Sequence, residues 1–185
     1  MPDRELTWLT GSDEEDQEAS DLLAAYYREV AKGPMTTYRY IKQSGKKQGQ
    51  NYYIHALNGI NMIHKLRSAG VIEMSDLEEQ LLFAAYTIHD INKIPPYGGR
   101  EKRSSYLNVA TQENITNELI RIEFRRFFSE WATYPEDIRL LMLLHQHDAA
   151  PLDDLNQKRH KYAIRYERLL DLGKLMYAID NLDLS

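Results

Sequence analysis

The sequence predicts an all-α fold, and two kinds of observation support that prediction. Apolar residues recur at helical spacing along most of the chain, and no segment alternates apolar and polar residues for long. Start signals for helices also recur: Ser75-Asp76-Leu77-Glu78 has the pattern of a capping box, and Thr133-Tyr134-Pro135-Glu136 combines a cap with a proline in the first turn. With 185 residues, the chain is long enough for one domain with a sizeable core. We expect that helical domain over residues 21–185, behind an acidic, flexible segment over residues 1–20.

The composition removes several classes of protein. The chain has no cysteine, which excludes disulfides, thiolate metal sites and cysteine nucleophiles together. It has no apolar run of about 18 residues, so no membrane span is expected, and its first residues lack the basic-then-apolar pattern of a signal peptide. The net charge of −5 gives no general attraction to nucleic acid. We therefore expect a cytoplasmic protein, in which a metal site would have to consist of histidines and carboxylates.

Two helices are expected before residue 70. The first covers residues 21–31 and ends at Gly33-Pro34, a pair that breaks helices. A basic loop over residues 42–49 leads to the second helix, over residues 51–68. Gly70 follows it, at a usual position for a left-handed cap.

The helix over residues 51–68 carries two histidines on opposite sides. His55 and His64 differ by nine positions, which corresponds to about 900° of rotation. Gly59 follows His55 by one turn, and its missing side chain leaves room beside the imidazole. His64 lies among basic residues near the end of the helix and is expected at the surface. His55 is therefore the candidate for a site.

The third expected helix is apolar and ends in an adjacent histidine and aspartate. It begins at the Ser75 capping box, and Pro95-Pro96 stops it. His89 lies one turn beyond Ala85, so its ring is expected to point into the core. A charged pair at the buried end of a helix is costly unless something compensates it. A divalent cation bound by imidazole and carboxylate would do so.

Three more helices are expected, over residues 111–131, 135–148 and 169–180. The buried side of the first is expected to comprise Ile115, Leu119, Ile120, Ile122 and Phe127-Phe128. In the second, His145 follows an apolar residue by one turn and is expected to point inward. In the third, Asp180 shares a row with small and apolar residues and is expected to be buried.

Four side chains therefore stand out as polar groups on otherwise apolar helical faces: His55, His89, Asp90 and Asp180. They come from three different helices. If they stayed apart, each would need its own buried partner. If they converge, one divalent ion can satisfy all of them.

This order of residues resembles the HD superfamily of metal-dependent phosphohydrolases, whose signature is a histidine, an adjacent His-Asp pair and a distal aspartate. Lys93 extends the central pair to His-Asp-x-x-Lys. Within the superfamily, residues 53–59, 84–93 and 176–182 look most like the N-terminal HD nuclease domain of the large subunit of type I-D CRISPR effector complexes. The resemblance implies a helical bundle with a metal site between its core helices, and a role in degrading target DNA during interference.

The resemblance also implies roles for individual residues. The metal ligands would be His55, His89, Asp90 and Asp180. Lys93 would neutralise charge that develops on the scissile phosphate, and His145 or His147 would take a second ion or protonate the leaving oxygen. The DNA backbone would be held by the basic residues Arg100, Lys102, Arg103, Lys158, Arg159 and Lys161.

The implied cofactor is a divalent ion, namely Mn, Ni, Co or Mg. Whether one or two ions bind stays open, because the helix over residues 111–131 lacks a histidine that dinuclear HD nucleases usually have. The implied partners are single-stranded DNA, the remainder of the effector large subunit, other effector subunits with guide RNA, and a separate helicase. Two alternatives remain: a phosphohydrolase of a small nucleotide, and a docking module whose metal is structural.

Overall fold

The computed structural model describes residues 32–42, 51–98, 106–126, 130–146 and 162–182, and over these ranges the fold is all-α, as predicted. The α-helices are α1 (Tyr52–Ser68), α2 (Asp76–Ile88), α3 (Tyr106–Val109), α4 (Gln112–Arg121), α5 (Pro135–His145) and α6 (Tyr166–Asn181). Short 3-10 helices cover Pro34–Tyr40, Ile91–Lys93, Phe124–Arg126 and Glu130–Thr133. Over the same ranges there is no strand, and β geometry is limited to an isolated bridge between Lys42 and Asn51.

Part of the sequence prediction concerns residues outside the ranges that the structure describes. That part comprises the acidic segment over residues 1–20, the helix over residues 21–31, all but the first residue of the basic loop over residues 42–49, and Phe127-Phe128. Among the described helices, none combines the length and the apolar character that crossing a membrane requires.

Helix α1 follows the prediction because local sequence defines both of its ends. The side chain of Asn51 accepts a hydrogen bond from the backbone N–H of Ile54 at 2.9 Å, which caps the start. Beyond Ser68 the chain turns at Gly70, whose φ of +67° is a conformation that glycine adopts without a steric penalty.

Helix α2 begins at the predicted capping box and ends earlier than predicted. Ser75 accepts from the backbone of Glu78, and the Glu78 carboxylate accepts from the backbone of Ser75. The helix was expected to continue to Pro95-Pro96, but it ends at Ile88, and the His-Asp pair lies in the turn that follows.

Side chains from other helices explain the early end of α2. The carbonyl oxygen of Thr87 accepts from the Tyr52 hydroxyl at 2.8 Å, and the backbone N–H of Asp90 donates to the same hydroxyl at 3.2 Å. The Tyr106 hydroxyl donates to the carbonyl oxygen of His89. Backbone groups that would extend the helix are therefore bonded to side chains, and the chain leaves the helical path at Asp90.

The predicted helix over residues 111–131 is wrong in length. Helix α4 covers ten residues, and Glu123 then adopts a positive φ of 58° before two 3-10 turns. Ile120, expected to be buried, is 56% exposed. The buried side of α4 instead comprises Ile115, Glu118, Leu119 and, just beyond the helix, Ile122. Ile120 lies outside this stripe of helical spacing.

Helices α5 and α6 pack closely and bring their ends together. Pro135 starts α5 as predicted, but the residue before it is Tyr134, which makes no side-chain cap, so the capping part of that prediction is wrong. A Cβ atom on Gly173 of α6 would lie 2.7 Å from the Leu144 side chain of α5, so the missing side chain permits this approach. The approach places the end of α6 beside His145.

Helix α2 forms the centre of the packed core. Every residue from 81 to 88 is buried, and the helix contacts α1, α4, α5 and α6. An apolar helix covered on all sides has no solvent-facing stripe. His89 and Asp90, in the turn at its end, therefore lie between the surrounding helices.

Candidate metal centre

Three side chains from three parts of the chain meet at the end of α2. His55 on α1, His89 after α2 and Asp180 on α6 each offer one ligand atom, and these atoms all lie within 4.8 Å of one another. The two histidine Nε2 atoms are 3.2 Å apart. Asp180 Oδ1 lies 2.9 Å from Nε2 of His55 and 3.6 Å from Nε2 of His89.

These separations suit one shared ion. Two ligand atoms each about 2.1 Å from a metal, at angles of about 90–110°, are about 3.0–3.4 Å apart. The three observed distances bracket that range. Two imidazole nitrogens and one carboxylate oxygen form a donor set that suits divalent transition metals. The side chains present therefore fit a divalent ion.

The tautomer of His89 is fixed in the form that a metal requires. Its Nδ1 lies 2.6 Å from the carbonyl oxygen of Tyr86, which can only accept, so Nδ1 carries a proton. In the neutral ring, Nε2 then presents its lone pair to the cluster. Burial opposes protonation of His89, but Asp90 and Asp180 outweigh it and raise the pKa of this histidine. A proton and a metal ion therefore compete for Nε2 of His89.

Asp180 links the cluster to a third histidine. Its Oδ2 atom lies 2.8 Å from Nε2 of His145, while Oδ1 faces the other two imidazoles. Burial opposes ionisation, but hydrogen bonds from His145, His55 and His89 hold the pKa of Asp180 far below its usual range. The side chain was expected to be buried, and that expectation is wrong in part: it is 18% exposed. It lies near the carboxyl end of α6, and its carboxylate is partly accessible to solvent.

His145 points inward, as predicted, and is 6% exposed. Burial lowers its pKa, and the hydrogen bond with Asp180 only partly offsets that effect. The ring is therefore neutral at neutral pH. A carboxylate can only accept, so Nε2 of His145 donates to Asp180. Its Nδ1 then accepts from the Gln146 side chain at 3.3 Å.

Asp90 and Lys93 form an ion pair beside the three-residue cluster. Asp90 Oδ2 lies 3.6 Å from Nε2 of His89 and 2.8 Å from Nζ of Lys93. Burial opposes ionisation of Asp90, but the charges of His89 and Lys93 outweigh it and lower its pKa to about 2. Of the four ligands expected from sequence, three therefore share one centre, and Asp90 lies at its side with a cation partner.

Sequence reasoning missed three tyrosines that shape the centre. The hydroxyls of Tyr52 and Tyr106 hold the backbone of the His-Asp turn, as described above. The ring of Tyr86 occupies the room that Gly59 was expected to leave beside His55, because a Cβ there would lie 1.9 Å from Tyr86 Cε1. A glycine one turn after a candidate ligand, with tyrosine on the facing helix, is the signal that sequence offered for this contact.

The expectation that His64 lies at the surface is wrong. It is 9% exposed, with Nε2 3.3 Å from the Ser68 hydroxyl and Nδ1 3.7 Å from Oε2 of Glu79. The basic residues near it misled the prediction, because helix α2 packs against this face and covers it.

The remaining candidate residues lie outside the described ranges. They are His147, Arg100, Lys102, Arg103, Lys158, Arg159 and Lys161. Comparisons of the chain with protein-family models, curated proteins and solved structures give no significant match. The centre is therefore interpreted from its own side chains.

Proposed function

We propose that this protein is a divalent-metal-dependent phosphohydrolase of the HD type, which cuts phosphodiester bonds in DNA. The observation that carries the proposal is the meeting of His55, His89 and Asp180 at separations that suit one ion. Their order along the chain is the order of ligands in the family that the sequence resembles.

The side chains in and around the cluster would have different roles in such a hydrolysis. A divalent ion supplies a Lewis acid that polarises a phosphoryl oxygen and lowers the pKa of water. His55, His89 and Asp180 would hold it, with Asp90 close enough to join them. His145 is neutral and donates to Asp180, so it orients that carboxylate. This is a different role from the proton donor that the resemblance implied.

Lys93 has the position and charge of a phosphate-binding residue. Its side chain is 33% exposed and reaches Asp90 at the edge of the cluster. An ammonium group there faces both the centre and solvent. A phosphate that approaches the ion would therefore gain charge stabilisation from Lys93 as negative charge develops.

The preference for DNA rests on the resemblance to nuclease domains of CRISPR effector large subunits. In that setting the substrate is a single strand, supplied with the help of a separate helicase and of effector subunits that carry guide RNA. A polymer substrate needs cationic contacts along its backbone, and these contacts weaken as salt rises.

The test is cleavage of end-labelled single-stranded DNA in the presence of Mn, Ni, Co or Mg. We expect the wild type to cleave only when an ion is added, and His89→Ala to lose at least about 100-fold in rate. The matched control is His64→Ala, which removes a buried histidine from the other face of α1 and should retain cleavage.

Two other outcomes would replace the proposal. If DNA stays intact while a nucleotide is hydrolysed, the protein is a small-nucleotide phosphohydrolase, whose site would be a closed pocket. If neither substrate is hydrolysed and added metal still raises the melting temperature, the ion is structural.

A further inference from the structure

Tyr86 is a buried tyrosine whose hydroxyl is without a hydrogen-bond partner among the described residues. Two other tyrosines in the same core have partners for their hydroxyls. The Tyr38 hydroxyl donates to Glu118 at 2.7 Å, and the Tyr52 hydroxyl donates to the carbonyl oxygen of Thr87 at 2.8 Å. A buried polar group without a partner is destabilising. Phenylalanine would fill the same space without that cost.

The surroundings of Tyr86 place it against the metal centre. Its ring centroid lies 4.8 Å from that of His89 and 5.6 Å from that of His55. Gly59 lets the ring lie directly on α1, where any side chain would collide with it. The phenol is fully buried and held from both sides, so it cannot rotate out to bulk solvent.

The chemistry of the hydroxyl selects the kind of partner. A tyrosine hydroxyl is protonated at neutral pH. A protonated phenol both donates and accepts. Because the hydroxyl is sealed from solvent, its partner must be small enough to be enclosed beside a ring that lies against His89 and His55.

We infer that Tyr86 is a positioning residue of the metal centre, whose hydroxyl bonds to a water molecule enclosed with His55, His89 and Asp180 when an ion is bound. Buried waters typically satisfy polar groups that the protein leaves without partners. The inference rests on the proposed function, because a metal-dependent hydrolase needs an ordered water at its ion.

The experiment compares wild type, Tyr86→Phe and the control Tyr38→Phe. Melting temperatures are measured without metal and with Mn²⁺, and Mn²⁺ affinity is measured by calorimetry. Tyr38→Phe also removes a hydroxyl from this core, but that hydroxyl has a partner, Glu118. Water-proton relaxation of the Mn²⁺ complexes reports the water bound near the ion. If the Tyr86 hydroxyl only supports the core, Tyr86→Phe should leave this relaxation signal unchanged.

Without metal, we expect Tyr86→Phe to melt at or above the wild-type temperature, because the substitution removes an unsatisfied buried group. With Mn²⁺, its gain in melting temperature should be smaller than that of the wild type. Its Mn²⁺ affinity should fall by about 2- to 10-fold, because one hydrogen bond near the ion is lost. The relaxation signal should also change. Tyr38→Phe should melt lower than wild type in both conditions, with an unchanged Mn²⁺ gain.

Two results would overturn the inference. If Tyr86→Phe lowers the metal-free melting temperature and keeps the wild-type gain and relaxation signal, the hydroxyl is structural, and the proposed function is untouched. If the wild type itself binds no Mn²⁺, the inference and the metal-dependent function fail together.

Discussion

Helix α1 carries two buried histidines on opposite faces, and their surroundings differ in kind. His55 meets two further ligand atoms within 4.8 Å, contributed by His89 and Asp180. His64 meets the Ser68 hydroxyl and one carboxylate, Glu79. Nine residues correspond to about 13 Å along the helix, so the two sites are separate.

The difference lies in whether the charges are already compensated. On the His64 face, Oε1 of Glu79 lies 3.1 Å from the Arg67 guanidinium, so a protein cation balances the carboxylate. On the His55 face, two imidazole nitrogens lie 3.2 Å apart beside the Asp180 carboxylate, and the nearby Lys93 pairs with Asp90 instead. His64 lies between a hydroxyl and a carboxylate that an arginine already balances. The three converging ligand atoms on the His55 face fit a divalent cation.

The largest expected effect is a difference in Mn²⁺ affinity between variants that lack one or the other histidine. His55→Ala removes one of the three proposed ligands and should weaken Mn²⁺ binding by at least about 100-fold. His64→Ala should leave the affinity within about twofold, because distant sites act independently. Titration calorimetry of both variants decides the comparison. Equal losses in the two variants would mean that the His55 face has no special role.

The next effect is the pH dependence of metal binding. Because the pKa of His89 is raised, its Nε2 binds a proton at mildly acidic pH, and an ion must displace that proton. Affinity should therefore be constant above the raised pKa and fall about tenfold per pH unit below it.

Calorimetry in buffers of different ionisation enthalpy would count the protons released on metal binding. His64→Ala should show the same profile as the wild type. An affinity that stays flat from about pH 5 to pH 8 would show that His89 is not a ligand.

A smaller effect is expected on the His64 face, where a substitution should lower stability and leave metal affinity unchanged. Glu79→Ala removes the partner of Arg67 and His64, and it should lower the free energy of unfolding by about 1–2 kcal/mol. Mn²⁺ affinity should not change, because Glu79 lies in the first turn of α2 and the centre lies beyond the end of that helix. Urea unfolding and titration calorimetry on one preparation check both statements. A loss of metal affinity would show that the two faces are coupled.

The sequence predicted what local patterns determine. The helical fold, the capping box at Ser75, the left-handed turn at Gly70 and the inward position of His145 follow from spacing and from residues close in the chain. Their apolar helical faces made His55, His89 and Asp180 candidates, the resemblance implied that they share one site, and the structure places them together.

What the sequence could not predict depends on residues far away in the chain. Helix α2 stops at Ile88 because hydroxyls of Tyr52 and Tyr106 bond to the backbone of the turn beyond it. His64 is buried because α2 covers it, although its neighbours in sequence are basic. Tyr86 fills the notch at Gly59 only because α1 and α2 pack at that point. Each is a tertiary contact that a periodic pattern does not specify.

The smallest effect concerns the start of α2, at the opposite end of that helix from the metal centre. Ser75→Ala removes one bond of the capping box and should lower the free energy of unfolding by about 1 kcal/mol. The Glu78 carboxylate also accepts from Arg168 at 2.7 Å, so it keeps an anchor and the helix should still form. Mn²⁺ affinity should equal that of the wild type, since α2 is held along its length by the core. A matching loss of affinity would mean that the position of His89 depends on the whole helix and not on the tyrosine hydroxyls that hold its turn.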